Sequence, residues 1–72
     1  MPTSLRKLKR AIEKQGGTVE EPKNGSHWKA KRDGVCYPIP AHNGLKTEIA
    51  EVYIRACCRS LKLDEKTLRE DL

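Results

Sequence analysis

The chain has 72 residues, a length typical of one domain (residues 1–72), and its 36% hydrophobic and 35% charged residues argue against a membrane protein. Its net charge is +5, and residues 1–46 hold ten Lys/Arg against four Asp/Glu while residues 47–72 hold five against six. A basic first part favours a polyanionic partner such as RNA or DNA; the alternative is that the charge serves solubility alone.

The numbers of cysteine and aromatic residues further limit the class of protein. There are three cysteines, and Cys57 and Cys58 are adjacent, so a disulfide scaffold is excluded and a reducing cytoplasm is expected. No CxxC or HxxxH spacing is present, so we expect no metal, and one Trp with two Tyr predicts no large cofactor cavity. No apolar run approaches the roughly 18 residues of a membrane span, and no signal-peptide core is present.

The first predicted element is a helix. Its apolar positions recur at helical spacing and leave cations on the other face: Leu5, Leu8, Ala11 and Ile12 against Arg6, Lys7, Lys9, Arg10 and Lys14. Thr3 or Ser4 is the expected N-cap, and Gly16-Gly17 is the expected end. Residues 18–21 then read as a short strand, stopped by Pro22.

A hairpin follows, with strands over residues 26–31 and 35–40 around Arg32-Asp33-Gly34, in which Asp-Gly is a strong hairpin signal. The two-residue turn is either Arg32-Asp33 or Asp33-Gly34. Because side chains alternate between the faces of a strand, both turns put the same residues on one apolar face: Trp28, Ala30, Val35, Tyr37 and Ile39. His27, Lys29 and Lys31 are then on the exposed face. Trp28 suits base stacking as well, but its parity favours the core.

Pro38 and Pro40 lack amide protons on the same side of their strand, which predicts an edge strand. A loop over residues 41–46 precedes a second helix near Thr47, with Ile49, Val52, Tyr53 and Ala56 as its apolar stripe. Asp64 is the expected cap of a short last helix that contains Leu68. The cysteine pair is expected to pack in the core. The order α-β-β-β-α-α predicts an α+β two-layer sandwich with the helices on one face of a three-stranded sheet.

His27 is the main candidate for chemistry, although an exposed histidine is more often an ordinary surface residue. Gly25 allows close approach of a phosphate, and Lys29 and Lys31 supply cations on the same face. Imidazole exchanges protons near neutral pH, so it can act on a ribose 2′-hydroxyl or on a leaving 5′-oxygen. His42, in the loop after the edge strand, is a second candidate.

Four short motifs follow one another along the chain: Gly16-Gly17, Gly25-Ser26-His27, Ile39-Pro40-Ala41-His42 and Glu48-Ile49. In these motifs, and over nearly its whole length, the chain resembles the HicA (YcfA-like) family of bacterial toxins, which are messenger-RNA interferases of toxin–antitoxin pairs. The resemblance implies a fold like that of a double-stranded-RNA-binding domain. It also implies that His27 is catalytic and that a HicB-type antitoxin occludes it.

The predicted site therefore has His27 as the catalytic residue and Ser26 and His42 as candidate assisting groups. The expected RNA-binding residues are Gly25, Lys29, Lys31, Arg32 and Lys46. The predicted activity is metal-independent endonucleolytic cleavage of RNA in the cytoplasm. The alternatives are an RNA-binding module without catalysis and a degenerate toxin that acts only as an interaction partner.

Overall fold

A computed structural model of the chain describes residues 3–24 and 27–72, so the expectations for Gly25 and Ser26 lie outside the described residues. The elements in chain order are β1 (Thr3–Ser4), α1 (Leu5–Lys14), β2 (Thr18–Glu20), β3 (His27–Arg32), β4 (Val35–Pro40), a 3₁₀ turn (Gly44–Lys46), β5 (Glu48–Ile49), α2 (Glu51–Leu61) and α3 (Glu65–Glu70). Strands β2, β3 and β4 form an antiparallel sheet in that order, and the helices pack on one face of it. The predicted α+β architecture is confirmed.

Helix α1 has the predicted apolar stripe, since Leu5, Leu8, Ala11 and Ile12 are fully buried. The hydroxyl of Ser4 caps its first turn by accepting a hydrogen bond from the Lys7 amide at 3.4 Å. The chain leaves the helix through Gly16, whose φ of +85° is a left-handed conformation that favours glycine. The helix therefore lies with its cationic face in solvent.

The hairpin has one of the two registers that the sequence allows, and its apolar face is the predicted one. Strands β3 and β4 pair Trp28 with Ile39 and Ala30 with Tyr37, and the turn is Asp33-Gly34 with both φ values positive. Trp28 is only 8% exposed, so it is a core residue, as its parity predicts. Val35 is the exception on this face: it is 41% exposed, because it flanks the exposed turn where solvent reaches the hairpin end.

The predicted start and face of α2 are wrong. The helix begins at Glu51, and its buried residues are Ile54, Cys57, Cys58 and Leu61, whereas Val52 is 69% exposed and Tyr53 is 39% exposed. The cause is an unpredicted two-stranded sheet, in which Thr3 pairs with Ile49 and Ser4 with Glu48. Those residues are therefore extended and cannot belong to the helix.

The N-cap of α2 is Ala50, not Thr47, and Thr47 instead accepts a hydrogen bond from the Asn43 amide at 2.9 Å. The predicted packing role of both adjacent cysteines is confirmed, since Cys57 and Cys58 are 0% and 3% exposed. Helix α3 begins as predicted: the Asp64 carboxylate accepts hydrogen bonds from the amides of residues 66 and 67. Within the described ranges, no helix has both the length and the apolar character needed to cross a bilayer.

Candidate functional site

The uncovered side of the three-stranded sheet, here called the open face, carries the candidate catalytic residue. Neighbouring strands pair in register, so side chains of one parity share this side: Thr18, Glu20, His27, Lys29, Lys31, Cys36, Pro38 and Pro40. Val19, Trp28, Ala30 and Ile39 point the other way and are buried under the helices. The sheet thus holds His27, Lys29 and Lys31 on one rigid surface, as their alternation predicts.

His27 is exposed at the first position of β3 and borders a recess of about 460 Å³. A volume of this size is within the range of ligand sites in proteins. The recess lies between β3 and the segment that follows β2, and its charged lining residues are Glu20, Glu21, Lys23, Lys29 and Lys31. Three lysines against two glutamates leave one excess positive charge around the imidazole.

Lys31 is held by a neighbouring carboxylate. Its Nζ lies 3.0 Å from Oε1 of Glu20, on the adjacent strand. The hydrogen bond to Glu20 raises the pKa of the Lys31 ammonium above its ordinary 10.5, so the side chain stays protonated. Lys29 has no such partner among the described residues. Of the two cations, Lys29 is therefore the one whose charge is available to a phosphate.

Glu20 and Lys23 were not predicted as part of this site. The alternation of β2 carries the signal for Glu20, because Val19 is buried and its neighbours must face the other side. Lys23 lies in the connection after Pro22, where no periodic pattern fixes a side-chain direction. The sequence therefore predicts the sheet part of the recess better than its loop part.

His42 lies at the same end of the sheet as His27. In the register, His27 is opposite Pro40, and His42 follows Pro40 by two residues. His27 and Pro40 form a non-hydrogen-bonded pair, in which the Cα atoms are about 4.5 Å apart. The two residues from Pro40 to His42 add at most about 7 Å, so the Cα atoms of His27 and His42 lie within about 12 Å of each other. His42 is exposed, as His27 is.

Arg32 is predicted from the sequence to bind phosphate together with Lys29 and Lys31, but its side chain is on the helix side of the sheet. Its Nε donates to the carbonyl oxygen of Gln15 at 3.1 Å, and its Nη1 donates to those of Leu61 and Lys62 at 2.9 and 2.8 Å. These carbonyls are at the C-terminal ends of α1 and α2, where backbone acceptors lack helical partners. Arg32 joins the two helix ends and is not brought to His27.

Lys46 is exposed in the 3₁₀ turn that packs against α1. The amide of Leu5 donates to the carbonyl of Thr47 at 2.8 Å, which fixes this turn beside the start of the helix. Lys46 therefore belongs to the helix layer and not to the open face. A second hollow, of about 450 Å³, lies at the hairpin end of the sheet beside Cys36 and Gly34, and no histidine lines it.

No metal-ligating cluster forms within the described residues, where no three His, Cys, Asp or Glu side chains come together. No protein-family model matches the chain, and no curated protein or solved structure matches it either. The resemblance to the HicA family stays a prediction from the motifs.

Proposed function

We propose that the chain is a toxin-type endoribonuclease that cleaves messenger RNA, with His27 as general acid or base. The observation that supports this proposal best is the exposed imidazole of His27 beside a recess whose cations, Lys29 and Lys31, lie on the same open face. A strand that projects alternate side chains from a paired sheet fixes their spacing, and fixed spacing is what proton transfer to a bound substrate requires.

The chemistry needs one proton acceptor and one proton donor. The ribose 2′-hydroxyl loses its proton as its oxygen forms a bond to the adjacent phosphorus, and the bond from phosphorus to the 5′-oxygen breaks as that oxygen gains a proton. The products are a 2′,3′-cyclic phosphate and a free 5′-hydroxyl. Lys29 stabilises the negative charge that develops on the phosphate oxygens, and His42 is the candidate for the second proton transfer.

The proposal also includes a cytoplasmic location and a HicB-type antitoxin that covers His27. Its support is the motif order given above, in which Gly25-Ser26-His27 precedes Ile39-Pro40-Ala41-His42. Co-expression of the chain with a candidate antitoxin should restore growth that the chain alone arrests.

The test compares the wild type, His27→Ala and His42→Ala on a 5′-labelled single-stranded RNA in EDTA, with folding checked by circular dichroism. We expect His27→Ala to lose cleavage by roughly 10²–10⁴-fold, the usual contribution of acid–base catalysis. An oligonucleotide of the same sequence with 2′-deoxy sugars should bind without being cut, because it lacks the attacking oxygen. Undiminished cleavage by His27→Ala would refute the assignment.

The second candidate function is RNA binding without catalysis, as a module or as a degenerate toxin. The exposed ammonium of Lys29 and the excess of cations in residues 1–46 favour it equally. In that case neither the wild type nor His27→Ala cuts the RNA, and both bind it with an affinity that falls as salt is raised.

A further inference from the structure

The exposed face of α1 is strongly cationic. The helix carries five cations and one acidic residue in ten positions. Two of the cations are paired, Lys9 with Glu13 at 3.2 Å and Lys14 with Asp71 at 3.3 Å. Arg6, Lys7 and Arg10 have no carboxylate within 4.0 Å among residues 3–24 and 27–72. These three are called the helix stripe below.

The helix stripe opposes the stability of its own helix. Ser4 is the N-cap, so Arg6 and Lys7 are the second and third residues of α1, and the first turn contains no acidic residue. The peptide dipoles of a helix place positive charge at this end, so cations here are unfavourable. A Glu or Gln at the position of Lys7 would instead complete a capping box with Ser4.

Like charges also repel within the helix stripe. Arg6 and Arg10 are four residues apart, and Lys7 is three residues from Arg10. Pairs of like charge at these spacings lie next to each other on a helix surface and destabilise it. Solubility needs cations somewhere on the surface, but it does not need them at the positions that cost helix stability. A selected function explains this placement better.

The helix stripe is separate from the open face. Helix α1 packs against β2 in the helix layer, on the side of the sheet opposite His27. Lys46 lies beside its first turn, because the carbonyl of Thr47 bonds the amide of Leu5. From Arg6 to Arg10 the stripe is four residues long, or about 6 Å at the rise of a helix. It therefore offers several phosphate contacts in line, away from the imidazole.

We propose that the helix stripe, extended by Lys46, is a second nucleic-acid site that binds the phosphodiester backbone of RNA without reading its sequence. Guanidinium groups bind phosphate oxygens through paired, charge-assisted hydrogen bonds, and such contacts carry no base information. The inference takes RNA as the ligand from the proposed function but does not depend on cleavage. The site holds RNA outside the scissile phosphate, so it acts on affinity and KM and leaves kcat unchanged.

The test uses a triple variant, Arg6→Gln with Lys7→Gln and Arg10→Gln, and a matched control, Arg55→Gln with Arg59→Gln and Lys66→Gln. Both remove three positive charges, and the control residues are exposed and make no side-chain ion pair in the described structure. Glutamine is nearly as good a helix former as arginine and lysine. The probe is a fluorescent single-stranded RNA with 2′-O-methyl groups, which cannot be cut by 2′-oxygen attack.

We expect the stripe variant to bind at least about tenfold more weakly than the wild type. The slope of log K against log salt should fall by about 2, from three contacts at roughly 0.7 each on a single strand. The control should retain both affinity and slope. Unfolding in urea should show the stripe variant at least as stable as the wild type, because the like-charge contacts are relieved. A purely structural role for the stripe predicts the opposite.

Equal losses in the stripe variant and the control would overturn the proposal, since net charge alone would then explain binding. Unchanged RNA binding would overturn it too, and loss of binding only to phosphatidylserine vesicles would assign the surface to a membrane instead. If the triple variant does not fold, Lys7→Gln and Arg10→Gln singly give the same comparison. Failure of the proposed cleavage is recognised separately, because His27→Ala then cuts as well as the wild type, or neither cuts, while the binding assay is unaffected.

Discussion

Replacement of Arg32 by alanine tests whether this arginine joins the helix ends or binds phosphate. The wild-type guanidinium donates three hydrogen bonds of 2.8–3.1 Å to the carbonyls of Gln15, Leu61 and Lys62. The substitution leaves these three acceptors without the donor and removes a cation from two helix C-termini.

The expected loss follows from these contacts. The bonds to Gln15 and Leu61 are partly buried, and the bond to Lys62 is exposed. At about 1 kcal/mol for each partly buried acceptor, plus up to ~2 kcal/mol for the cation at the helix ends, the free energy of unfolding should fall by about 2–4 kcal/mol. Arg32→Lys keeps the charge but not the planar fork, so it should lose roughly half as much.

Urea denaturation followed by circular dichroism measures this change by linear extrapolation. Lys29→Ala is the control, because Lys29 is exposed on the same strand and should alter the free energy by less than about 0.5 kcal/mol. RNA affinity should respond in the reverse order, with Lys29→Ala weakening binding and Arg32→Lys leaving it intact. An Arg32→Ala protein as stable as the wild type, with impaired RNA binding, would show that the arginine is a phosphate ligand after all.

Four further predictions concern packing and burial. Gly17→Ala should lower the free energy of unfolding by roughly 1–3 kcal/mol, because its Cβ would lie 2.6 Å from the Cγ2 methyl group of Ile12. Urea titration measures the loss, and wild-type stability would contradict this packing. Ile54→Ala should lower the free energy of unfolding by about 2–5 kcal/mol, and Val52→Ala should lower it by less than about 0.5 kcal/mol. The reverse order would show that α2 buries the face predicted from the sequence. A thiol reagent at pH 8 should modify Cys36 alone in the folded chain. Burial raises the pKa of Cys57 from 9.0 to about 12, so its contribution to stability is complete below pH 9 and is lost as pH rises from about 9 to about 12; unfolding free energies measured across that range check the sign.

The sequence predicts those elements whose pattern is local. The apolar stripe of α1 and the alternation of side chains in the hairpin are each set by a few neighbouring residues, and the structure has both. The position of His27 beside Lys29 and Lys31 follows from that alternation even without knowledge of the turn type. The residues of β3 on the open face could therefore be predicted from the sequence of this strand alone.

What the sequence could not predict depends on contacts between distant residues. Thr3 pairs with Ile49, and this pairing moves the start of α2 to Glu51 and turns Ile54 inward in place of Val52. Each of these two-residue strands is too short to give a periodic signal. Arg32 is a different case, because its parity with Trp28 already places it on the helix side, yet its charge suggested a surface role.

The edge strand β4 limits how two copies of the chain can associate. In the two-residue hairpin, Val35, Tyr37 and Ile39 bond to β3, so residues 36, 38 and 40 direct their backbone groups outward. Two of these three are prolines, so Cys36 supplies the one outward amide against three outward carbonyls. Two copies could not form a ladder through their β4 edges, because each would present the same carbonyls and a single amide. A ligand that uses this edge must bring its own donors, such as guanidinium groups.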